Sequence, residues 1–310
     1  MLEQWMTALN FAVRQKTAMY EALDLLKKLL TFRIPFKSIL ASMLTVFELF
    51  SAAVLDTPIH PYKDPVDLTG YELVFEDEFE GDSLNLDVWE PRGLGPTNSA
   101  FLSMSQVSVK DGKLFINAGY KENGEYGPGW YTGDIMLKQQ YLRGYFEIKC
   151  KVIENMSNPH DMWSAFWLCN NGAYDADISK GGVGACEMDI MESFSSDPSR
   201  GTKPTGVIHA IWCNGVDDND DQVDGRNLGT YYANDPCEEF NTYGFMWTED
   251  EYVWYVNGIE TARTSYVNGV CQTPESVIVS VATPAYEITK DHSISDDYEV
   301  EYVRVYQLAG

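Results

Sequence analysis

The feature that most constrains the fold is an alternation of apolar and polar residues with a period of two, recurring from Tyr71 onward and punctuated by turn signals. Gly144-Tyr-Phe-Glu-Ile-Lys-Cys-Lys-Val152 shows it plainly. Successive side chains of a strand point to opposite faces, so Phe146, Ile148, Cys150 and Val152 enter a core while Glu147, Lys149 and Lys151 face water. Tyr252 to Arg263 reads as a hairpin about Asn257-Gly258, a pair that tolerates the positive φ angles of a type I′ turn. No strand–helix–strand rhythm accompanies these segments. Short strands without helices between them bury their apolar faces by packing sheet on sheet, and the expectation is an all-β sandwich.

One segment, Cys186-Glu-Met-Asp-Ile-Met-Glu-Ser-Phe194, is a strand with an acidic face. Alternation puts Glu187 and Asp189 on one side and Cys186, Met188 and Ile190 on the other. Glu192, five positions after Glu187, is out of phase, and a one-residue bulge at Ile190-Met191 returns it to the acidic face. Three carboxyls this close cannot all ionise freely, so their repulsion raises at least one pKa. If the two glutamates lean to within about 5–5.5 Å, they have the geometry of a retaining glycosidase, one as nucleophile and the other as acid/base. The plainer alternative is a solvated acidic face, since 47 of the 310 residues are Asp or Glu. The apolar residues interleaved at fixed positions favour the chemical reading.

Glu187-Met-Asp-Ile-Met-Glu192 resembles the signature of glycoside hydrolase family 16 in its bulged form, as in laminarinases and agarases. The likeness runs from about Tyr71 to Gln307 and includes Leu73-Val-Phe-Glu-Asp-Glu-Phe-Glu-Gly81, Trp163-Ser-Ala-Phe-Trp167, Tyr243-Gly-Phe-Met-Trp247, Trp254-Tyr-Val-Asn-Gly258 and Val300-Glu-Tyr-Val-Arg-Val-Tyr306. It implies a jelly-roll β-sandwich of two curved antiparallel sheets, concanavalin A-like, with the concave sheet forming a cleft. It also implies Glu187 as nucleophile, Glu192 as acid/base and Asp189 as helper. Trp163 and Trp167 become aromatic platforms for sugar rings, with Trp130 and Trp212 as further substrate-binding candidates and His209 beside the acids. Each of these has a core role as its alternative, and Trp247 and Trp254 default to core. No cofactor is expected for catalysis; a structural calcium is implied near Glu78, the Gly112 carbonyl and Glu301. Two departures stand out: Ser164 replaces a proline, and the arginine common near Asp134 is missing, which removes a cation from the non-reducing side.

The net charge of −25 would repel nucleic acid and anionic membranes and leave a neutral polymer unaffected. Residues 1–55 differ, with six Lys/Arg against four Asp/Glu. The apolar run Ser38 to Phe47, preceded by basic residues and followed by Ser51-Ala52-Ala53, resembles a signal peptide or signal anchor with a long preamble. The expected organisation is therefore a leader over 1–55, a linker over 56–70 and a catalytic domain over 71–310, extracellular and monomeric, with no stable membrane association after processing. Six cysteines without metal-site spacing suit one or two disulfides or buried thiols. Asp217-Asp-Asn-Asp-Asp221 reads as a solvated loop, because an acid is missing where a calcium-binding hand needs one. The expected activity is an endo-β-glycanase cutting β-1,3- or mixed-linkage β-1,3-1,4-glucan with retention. The alternatives are a glucan-binding module, a transglycosylase and a galactan hydrolase. Between Trp163 and Trp212 the only cations are Lys180, Arg200 and Lys203, which favours a neutral glycan over a sulfated one.

Overall fold

A computed structural model describes residues 65–97, 100–154, 162–170, 186–193, 206–213, 226–233, 235–265, 270–282 and 291–310. The expected leader, linker residues 56–64 and the Asp217–Asp221 loop lie outside the described residues. Among the described residues the regular structure is all strand, apart from a 3₁₀ turn at Met104–Gln106. Linker residues 65–70 lie against the sandwich, with Pro65 bridged to Ile259 and the Val66 N–H donating to the Gly258 carbonyl.

The strands form one eleven-stranded and one seven-stranded sheet, the jelly-roll sandwich that the alternation and the resemblance predict. Pairing is antiparallel throughout except where Phe101–Leu102 runs parallel to Tyr131–Thr132. In the smaller sheet the order is Arg226–Tyr232, Gly206–Cys213, Cys186–Glu192, Trp163–Cys169, Glu275–Ala282, Asp134–Tyr141 and Trp89–Pro91. The acid strand, Cys186–Glu192, thus lies between a tryptophan strand, Trp163–Cys169, and a histidine strand, Gly206–Cys213.

A single core joins the sheets. Phe146, Phe245, Trp247 and Trp254 come from the larger sheet and meet Phe166, Leu168, Met188 and Met191 from the smaller one. Phe146, Ile148, Cys150 and Val152 are all buried, as their parity predicts. Phe166, which lies between Trp163 and Trp167 on its strand, is fully buried, and its truncation to Ala would cost about 3–5 kcal/mol. The hairpin turns at Asn257 (φ 52°) and Gly258 (φ 73°), the two positive angles that a type I′ turn needs.

Candidate active site

The expected bulge is present, and both neighbours of the acid strand register it. Against the tryptophan strand, Asp189 lies opposite Trp167 and Met191 opposite Phe166. Against the histidine strand, Asp189 lies opposite Ala210 and Glu192 opposite Ile208. One residue too many fits between these pairs, so Glu192 recovers the phase of Glu187 while Met188, Ile190 and Met191 stay in the core.

The three acids interact as a group. Burial raises the pKa of Asp189 well above the usual carboxylate range, and the charges of Glu192 and then Glu187 push it the same way. The Trp212 indole N–H donates to Asp189 and opposes the rise. Burial and then the Glu187 charge lift Glu192 to about 7, against a hydrogen bond from Trp163. Burial also raises Glu187, but here a cation, Arg92, pulls the pKa back down. The environments therefore separate the two glutamates: one is held nearer its ionised form, the other nearer its protonated form.

Arg92 was invisible to the sequence reading. It follows the edge strand Trp89–Pro91, and its guanidinium lies 4.7 Å from the Trp167 ring centroid and 3.0 Å from the Asp134 carboxylate. The cation missing near Asp134 is thus supplied by the segment after the edge strand and brought to the electrostatic environment of Glu187. Burial pushes Asp134 up to about 7, with Arg92 opposing. The one available signal was the charge need of a buried Asp, which demands a partner without naming it.

The tryptophans divide by role. Trp163 is half-buried and uses its N–H on Glu192. Trp167 donates to Ser280 Oγ at 3.0 Å and has Arg92 stacked over its ring. Trp212 is exposed and bonded to Asp189. Trp130 is 6% exposed in the main core, edge-on to Tyr120, so the structure does not bring it to these residues as an open platform. His209 is fully buried, and it meets the acid strand through the Ile190 carbonyl. Ser164 exchanges hydrogen bonds with Ser193, the residue after Glu192: its N–H donates to Ser193 Oγ and its carbonyl accepts from the Ser193 N–H. A proline at 164 has no N–H for this clamp.

The residues expected around a calcium ion are engaged otherwise. Arg304 donates to the Glu78 carboxylate, and Lys149 is 2.6 Å from that of Glu301. Among the described residues no group of three or more His, Cys, Asp or Glu side chains converges to hold a metal. An ion held by Glu78, the Gly112 carbonyl and Glu301 would have to displace both cations. Cys150 and Cys169 are buried free thiols whose pKa values burial raises.

A family model described as the GH16 domain of β-porphyranases A–D matches residues 73–308. The chain is 25% identical over 225 residues to endo-1,3-1,4-β-glycanase ExsH of Rhizobium meliloti, a match covering 69% of this chain and 42% of that protein. It is 24% identical over 283 residues to β-porphyranase B of Phocaeicola plebeius, covering 77% of this chain and 86% of that one. The catalytic domain of an endo-1,3-β-glucanase (laminarinase) from Thermotoga petrophila superposes with a TM-score of 0.60 at 20% identity, covering 80% of this chain and 100% of that one. This chain spans about two-fifths of the length of the Rhizobium glycanase.

Proposed function

The chain belongs to glycoside hydrolase family 16, and from that membership we propose that it cuts internal β-linkages of a polysaccharide with retention of configuration. The observation that carries the reading is the difference between the two glutamates' surroundings: burial and the Glu187 charge lift Glu192 to about 7, whereas the rise that burial gives Glu187 is opposed by the Arg92 cation. Glu187 attacks the anomeric carbon while Glu192 gives its proton to the departing glycosidic oxygen. Glu192 then takes a proton from water, which displaces Glu187 and releases the sugar with its original configuration. Asp189, raised well above the usual carboxylate range by burial and by the charges of Glu192 and Glu187, holds a proton and lowers the charge repulsion between the glutamates. The Trp163 N–H on Glu192 limits how far that acid's pKa rises.

The substrate we propose is β-1,3- or mixed-linkage glucan. The half-buried faces of Trp163 and Trp167 and the exposed Trp212 suit the apolar C–H faces of glucose rings, and the negative chain suits an uncharged polymer. One observation favours a second reading. Arg92 places a partly exposed guanidinium over Trp167, where it can pair with an anionic substituent, and this supports a galactan of the kind the β-porphyranase family model suggests. The N-terminal pattern supports secretion, and no helix among the described residues is long and apolar enough to cross a membrane. Product analysis on laminarin, lichenan, agarose and porphyran tests the reading, with the anomer followed by NMR. Retained oligosaccharides from laminarin or lichenan support the glucan assignment; preferential cleavage of porphyran that collapses with salt supports the second.

A further inference from the structure

Ile190 is the bulged residue and lies opposite no residue on either neighbouring strand. Its carbonyl is 2.7 Å from Nδ1 of the buried His209. A carbonyl only accepts, so Nδ1 carries the ring proton, and Nε2 then accepts from the Thr261 hydroxyl at 3.0 Å. Burial pulls the His209 pKa down to about 3, which keeps the ring neutral and this tautomer available. The preceding carbonyl, that of Asp189, accepts the indole N–H of Trp254 at 2.9 Å. Trp254 and Thr261 belong to the eleven-stranded sheet, so both hydrogen bonds tie the bulge across the core.

The ring itself is held firmly. Tyr231 stacks on it at 4.7 Å, and Trp254 lies 6.1 Å away with its ring inclined by 30°. His209 also flanks a second register shift, against the strand Arg226–Tyr232, where Gly229 opposite it takes φ +108°.

We propose that His209, Trp254 and Thr261 are positioning residues forming a two-rung brace that fixes where the bulge sits and thereby keeps Glu192 on the acidic face. A bulge without such a marker can shift along its strand, and a one-residue slip sends every side chain beyond it to the opposite face. For Glu192 the opposite face is that of Met188 and Met191 in the core. Glu187 lies before the bulge, so it keeps its orientation when the bulge is lost or moves towards and past Glu192. The brace therefore acts selectively on the acid/base.

The kinetic arm of the test rests on the proposed function and uses laminarin and 2,4-dinitrophenyl β-laminaribioside. His209→Leu should lower kcat on laminarin about 100-fold with KM within about twofold, the size of a lost general acid. On the dinitrophenyl substrate, which needs no protonation to depart, added azide should restore it to within about fivefold of wild type. His209→Asn, which returns an N–H near the Nδ1 position, should keep at least about a third of wild-type kcat, and Trp254→Phe should lose about tenfold. A substrate-free arm follows amide exchange: in His209→Leu the Met191 and Glu192 amides should exchange at least about ten times faster, with those of Phe146 and Ile148 unchanged. Equal losses on both substrates without azide rescue, or exchange accelerated uniformly through the sheet, would overturn the brace. Wild-type inactivity on both substrates would count against the functional reading, and the exchange arm alone would then decide the brace.

Discussion

Glu187 and Glu192 are the same residue type on one seven-residue strand, and burial raises the pKa of both, yet the groups that oppose the rise differ. The Glu187 end is met by a cation from an edge segment, Arg92. The Glu192 end is held by a neutral N–H from Trp163, clamped behind by the Ser164–Ser193 pair, and lifted to about 7. Burial acts on both acids, and a cation beside only one of them is the difference that the proposed division into two roles rests on. The comparison can be broken at either end.

The largest effect is expected at Glu187, the proposed nucleophile. Glu187→Ala should lower kcat by on the order of 10⁴-fold or more, with the thermal midpoint nearly unchanged because the side chain lies partly open at the surface of the sheet. Removing the cation comes next. Arg92→Met should lower kcat/KM on a glucan by roughly 10–100-fold. It should also move the acidic limb of the pH profile upward, since Arg92 favours the ionised form that attacks; loss of that limb shift would separate Arg92 from Glu187.

The Glu192 end is read on the alkaline limb. Glu192 must be protonated to act as acid, so kcat/KM should fall as pH rises through about 7. Trp163→Phe deletes the N–H that lowers this pKa, so the alkaline limb should move up while kcat changes only about two- to fivefold. Trp163→Ala also removes the ring and should chiefly raise KM.

Glu275 sharpens the comparison as a buried acid that is not one of this pair. It accepts the Cys186 N–H at 3.0 Å, contacts the Cys271 thiol, and is lifted to about 9, chiefly by burial. A carboxyl whose folded pKa is raised contributes stability that is whole below its unfolded pKa and is lost as pH rises through the folded one. Stability should therefore decline between about pH 4.5 and about 9, and Glu275→Gln should flatten that decline by roughly 1–2 kcal/mol in chemical denaturation. The pH–rate profile of this variant should match that of wild type.

What the sequence made legible was local. Parity alone places Phe146, Ile148 and Cys150 inward, the Asn257-Gly258 pair announces its turn, and the mismatch in phase between Glu187 and Glu192 requires a bulge. What stayed hidden depends on segments distant in the chain. Arg92 reaches Trp167 and Asp134 only because Trp89–Pro91 pairs with the strand Asp134–Tyr141, so counting cations between Trp163 and Trp212 missed the one that meets Glu187. Strand parity also says which face a ring occupies and nothing of where its N–H points. Trp163 and Trp212, read as platforms, spend their donors on the acids. The resemblance puts His209 beside the acids, and strand parity could not show that its fully buried ring meets the acid strand through a backbone carbonyl.

The division of labour along the acid strand is tested most directly by supplying azide to the two alanine variants with an activated aryl β-glycoside and assigning the anomer of each product by NMR. Glu192→Ala retains the nucleophile, so azide should replace water in the second displacement and give the β-glycosyl azide. Glu187→Ala lacks it, so azide should enter from the opposite face and give the α-glycosyl azide. An α-azide from Glu192→Ala together with a β-azide from Glu187→Ala would reverse the assignment and contradict the account.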